Sequence, residues 1–86
     1  MKETKEVVKL KKPINIGGQL TSELALREPT AKDFRRTFSK KNVDKFSHQQ
    51  LMMQLAAELA GISDDEFDLL CLSDTTAMIE AVDRFT

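Results

Sequence analysis

Few side chains in this chain could do chemistry. His48 is the sole histidine and Cys71 the sole cysteine. A nucleophile–base pair would need one of these, or a serine, beside a base oriented by a third group. His48 falls in the first turn of an expected helix, a solvated setting. Cys71 lies in the apolar run "FDLLCL", where a thiol behaves as a small buried hydrophobe. The acidic run "SDDEFD", residues 63–68, lacks the spaced oxygen ligands and central glycine of a calcium loop. Its acids stand where a helix begins and suit the macrodipole there. Gly17-Gly18 reads as a turn, not as a loop that cradles phosphate. No catalytic residue, metal or cofactor is therefore expected, and the chain does not read as an enzyme.

The elements that carry these residues must come from one small domain, residues 1–86. A chain of this length buries only about 60–65% of its unfolded surface. One cysteine excludes an internal disulfide, and the usage suits a reducing cytoplasm. The apolar runs are far too short to cross a bilayer. "MKETKEVVKL" has no apolar core of signal-peptide length, and residues 1–5 are expected to be disordered. Net charge is −1, but it is unevenly spread. Residues 1–12 hold five basic and two acidic side chains, residues 27–45 seven and three, and residues 46–86 one and eight. Such asymmetry can orient a partner or a second copy.

The fold class is α+β: a β-hairpin over about 5–27, then four short helices over about 30–39, 47–60, 63–71 and 74–85. Val8, Leu10, Ile14, Ile16, Leu20, Leu24 and Leu26 all fall on even positions around Gly17-Gly18, the alternation of a hairpin with one apolar face. A two-residue turn would put the two apolar sets on opposite faces. A three-residue loop, 17–19, pairing Ile16 with Leu20 and Leu10 with Leu26, is therefore expected. Pro13 cannot donate to a ladder and predicts a break in the first strand. Pro29 ends the second strand at Glu28. Thr30 then caps a helix with Asp33 at its third position and Phe34 and Phe38 on one face, while Arg27 remains solvated. "SKKNVDK", residues 39–45, reads as a polar connector. Ser47 with Gln50, and Ser63 with Glu66, form capping boxes, and Gly61 ends the helix between them. The last helix opens at Ser73 or Asp74 and presents Met78, Val82 and Phe85.

Two classes of binding remain. "QLAAELAGISDDEFDLL" has the spacing of a helix-turn-helix, with Ala57, Gly61, Phe67 and Leu70 at its pivots. This supports a small nucleic-acid-binding regulator as the alternative. The would-be recognition helix, however, carries Asp64, Asp65, Glu66 and Asp68 and no base, and duplex phosphates would repel it. A protein-interaction module suits the chain better. "LMMQLAAELAG" is apolar on more than one face, and its methionines can adapt to a partner helix. Met52, Met53, Leu55 and Met78 are the candidate groove residues, with Arg35 and Arg36 as rim charges.

"LKKPI", "GGQLTSELALREPTAKDF" and "LAAELAGISDDEFDLLCLSDTTAMIEAVDRF" together resemble the small tail assembly chaperones of contractile-tailed phages, the P2-like and Mu-like family. The resemblance covers nearly the whole chain. It implies a non-enzymatic protein of the host cytoplasm, phage- or prophage-encoded and absent from the finished virion. Its expected partner is the tape measure protein, kept soluble while the tail tube assembles. The family is often made in two lengths by a programmed frameshift, the longer form recruiting the tube subunit. A chain ending at "DRFT" corresponds to the short form. Self-association is also expected to be possible. The family brings no catalytic residues.

Overall fold

The computed structural model describes residues 5–85. Of the stretch expected to be disordered, residues 1–4 lie outside the described residues, and Lys5 already opens a strand. Strand β1 (Lys5–Ile16) and strand β2 (Gln19–Arg27) form an antiparallel two-stranded sheet. Five helices follow among the described residues: α1 (Ala31–Thr37), α2 (Lys40–Lys45), α3 (His48–Ala60), α4 (Asp64–Phe67) and α5 (Leu72–Asp83). α5 packs on β1, α3 on β2, and α3 and α5 on each other. The core lies between the sheet and these two helices. Val8, Leu10, Ile14, Leu24 and Leu26 enter it from the hairpin, and Leu51, Leu55, Ala56, Leu59, Met78, Ala81 and Val82 from the helices.

The turn is not the expected three-residue loop. It has two residues, Gly17-Gly18, with Ile16 opposite Gln19 and Asn15 opposite Leu20. Both glycines take positive φ, 58° and 85°, as a tight hairpin turn demands. Gly18 N donates to Asn15 Oδ1 at 3.0 Å. The face conflict such a turn creates is resolved at the break that Pro13 predicts. Between the pairs Ile14–Thr21 and Lys9–Glu23, β1 spends four residues, 10–13, against the single Ser22 of β2. Three extra residues are an odd number, so the phase of β1 inverts. Val8 then lies opposite Leu24, and the two share the core face. The cost falls on Leu20, which the alternation placed on the apolar face. It is 76% exposed, because it pairs on the turn side of the break.

"SKKNVDK" is not a connector but contains α2. Ser39 Oγ accepts from Asn42 N at 3.3 Å, capping the helix. Asn42 Nδ2 reaches back to the carbonyls of Thr37 (3.0 Å) and Arg36 (3.3 Å), which the end of α1 leaves open. α2 buries none of its residues, so it has no apolar periodicity to announce it. The capping boxes at Ser47 and Ser63 form as expected, and Gly61 ends α3 with φ 73°. α4 is shorter than expected, a single turn. α5 starts at Leu72, ahead of Ser73 and Asp74. Its cap residue is Cys71, whose carbonyl accepts from Thr75 N (2.9 Å) and Oγ1 (3.1 Å). Asp74 cannot serve as that cap because its carboxylate is engaged elsewhere.

Candidate functional site

That engagement sets the frame of the molecule. The irregular stretch of β1 frees two backbone amides from the ladder. Asp74 takes both: Lys11 N donates to Oδ1 at 2.9 Å and Lys12 N to Oδ2 at 3.1 Å. Asp74 is 1% exposed. Burial alone would raise its carboxyl. The two amides, with the Cys71 thiol, outweigh burial and hold it below the usual carboxylate range. Asp33 plays the corresponding part at the strand-to-helix corner. Arg27, expected to be solvated, instead donates to it twice, Nη1 to Oδ2 at 2.7 Å and Nη2 to Oδ1 at 3.1 Å. Thr30 N adds a third bond at 2.8 Å. The Arg27 guanidinium, followed by the Thr30 amide, holds the Asp33 carboxyl well below its ordinary value despite burial. Arg36 joins this group and also pairs with Glu58 on α3. Among the described residues no buried side-chain polar atom lacks a partner.

Among the described residues, two apolar clefts flank α3, one on each side. The first, about 340 Å³, lies between α1, α3 and α5 and is lined by Phe34, Phe38, His48, Met52, Val82 and Asp83. Phe34 and Phe38 stack, with ring centroids 5.9 Å apart, and His48 lies 5.5 Å from Phe38. The two phenylalanines therefore lean on α3 and α5 as well as on the core. The second, about 190 Å³, is lined by Phe46, Gln50, Met53, Gln54, Asp64, Phe67 and Asp68. Adjacent methionines thus serve opposite sides: Met52 faces the first cleft and Met53 the second.

The other candidate residues are placed differently. Leu55 and Met78 are fully buried in the core, with no surface for a partner to reach. Their types and spacing are those of a groove or a core alike, and the hairpin overhead decides between them. Arg35 is exposed and makes no ion pair among the described residues. Arg36 is partly committed to Asp33 and Glu58. Phe34, Phe38, His48 and Val82 complete the first cleft and were not among the candidates. The four-residue spacing of the phenylalanines was the signal available for them. No group of three or more His, Cys, Asp or Glu among the described residues could hold a metal ion. Nor is any described helix long and apolar enough to cross a membrane. The helix-turn-helix spacing does not produce that motif, because the segment after Gly61 is one acidic turn.

A family model described as "phage tail assembly chaperone proteins, E, or 41 or 14" matches residues 7–86. The chain belongs to this family. No curated protein and no solved structure gave a match. Tail assembly chaperones act on protein partners, and the match spans all but the first two residues of the hairpin and the five helices described.

Proposed function

We propose that this tail assembly chaperone binds the tape measure protein and keeps it soluble in the host cytoplasm while the tail tube is built. The single observation that carries the reading is the first cleft. Phe34, Phe38, Met52 and Val82 give it an apolar floor, and the exposed Arg35 follows Phe34 on α1. A long helical protein awaiting assembly exposes apolar stripes, and a shallow groove between helices can cover such a stripe reversibly. Several copies along one partner gain avidity from weak individual contacts. Binding of this kind requires no catalysis, and the chaperone leaves before the virion is complete. Recruitment of the tail tube subunit by a frameshifted longer form belongs to the same proposal, and a mass-spectrometric search for the extended product tests it.

Co-expression with the tape measure protein is the direct experiment. The soluble fraction of that protein should rise with the wild-type chain and fall back with Phe38→Ser, at a half-buried position of the cleft. Equal insolubility with and without the chain would sink the reading.

A further inference from the structure

The second cleft differs from the first in its charge. Phe46, Met53 and Phe67 form its floor, and among the described residues its only charged lining groups are Asp64 and Asp68 of the α4 segment. Both carboxylates are exposed, and neither is ion-paired among the described residues. Asp65 and Glu66 lie on the same turn. The Phe46 ring also accepts a cation over its face, since Lys45 Nζ lies 5.5 Å from its centroid. An apolar floor beside uncompensated acids selects against an acidic or purely apolar occupant and favours an apolar side chain flanked by cations. Met53 is half-buried at the floor, and an unbranched thioether can adapt to the anchor that enters.

We propose that this cleft is a second docking site, for a cationic amphipathic helix of an assembly partner. The helix lays an apolar anchor between Phe46, Met53 and Phe67 and sets Lys or Arg against Asp64 and Asp68. The site is separate from the cleft invoked above for solubilisation, with α3 between them. Its test therefore does not depend on that reading.

The probe is a designed helical peptide with a Leu stripe flanked by Lys, and the control is the same stripe flanked by Glu. Two-dimensional NMR titration of the full chain should place the Lys peptide's shifts on Phe46, Met53, Asp64 and Phe67. Raising the salt from low to physiological strength should weaken it several-fold, by about 3–10 times. Asp64→Asn with Asp68→Asn should cut the preference for the Lys over the Glu peptide about tenfold while leaving the melting temperature near wild type. That ratio does not move for a merely structural role. Shifts centred on Phe34, Phe38 and Val82, or an unchanged preference in the double variant, would overturn the proposal. So would concentration-dependent shifts at Phe46 and Phe67 without peptide, which would assign the cleft to a second copy of the chain.

Discussion

Asp33 and Asp74 are buried, ionised and fully hydrogen-bonded, and each joins segments distant in sequence or direction. A buried carboxylate is tolerated only when its partners replace water, and removing it strands those partners. Asp74→Ala leaves the Lys11 and Lys12 amides without acceptors, and a loss of about 2–3 kcal/mol in urea unfolding is expected. Acid should act on the same groups. In the unfolded chain both carboxyls titrate near about 4, whereas in the folded chain both lie lower. The unfolded state therefore binds more protons as pH falls. Stability from these groups is complete above about pH 5 and is lost progressively below about pH 4. Thermal melts across that range should show the decline, and Asp33→Asn should remove part of it along with some stability at neutral pH. The roles of both residues were half legible. Asp33 and Asp74 stand at helix starts, where an acid usually serves the local helix, and only the fold brings Arg27 and the β1 amides to them.

At the scale of elements, α2 and the hairpin turn are the informative cases. α2 is held by Ser39 and Asn42 and by no buried side chain. Ser39→Ala should cost about 1 kcal/mol, with the loss of amide protection confined to residues 39–46 in hydrogen exchange. At the turn, a Cβ added to Gly17 or Gly18 meets no atom within 4 Å, so only the backbone conformation restricts substitution. Gly17 at φ 58° suits asparagine, and Gly17→Asn should keep or raise the melting temperature. Gly18→Val, a β-branched residue at φ 85°, should lower it. Patterning reads elements that bury a face. It passed over α2, which buries none, and it misjudged the register because an alternation of two cannot see an odd insertion further along the strand.

Across the whole molecule, stability and binding should separate. Leu55 and Met78 close the core, so Leu55→Ala should cost about 2–5 kcal/mol and affect partners only through unfolding. Phe38→Ser, at the rim, should reduce partner capture at a temperature where the chain remains folded by circular dichroism. The molecule is slightly open: the Cα radius of gyration is 12.8 Å, against about 12 Å for a compact chain of this length. Arg84, beyond the end of α5, pairs with Glu6 near the start of β1, which ties the two ends of the described chain together.

The family came from the resemblance of motifs spread along the chain, whereas local chemistry was enough to settle the hairpin, the break at Pro13, the strand end before Pro29 and three capped helix starts. Each rests on a residue acting within a few positions of itself: a ring without an N–H, a hydroxyl facing an amide three residues on. Tertiary structure alone decided the rest. Whether Leu55 and Met78 line a groove or a core depends on what lies above them. Whether Asp74 caps a helix or clasps a strand depends on amides more than sixty residues away. In "LALREPTAKDF" both kinds of determination meet: Pro29 and Thr30 turn the chain by local rules, and the reach of Arg27 across that corner locks it.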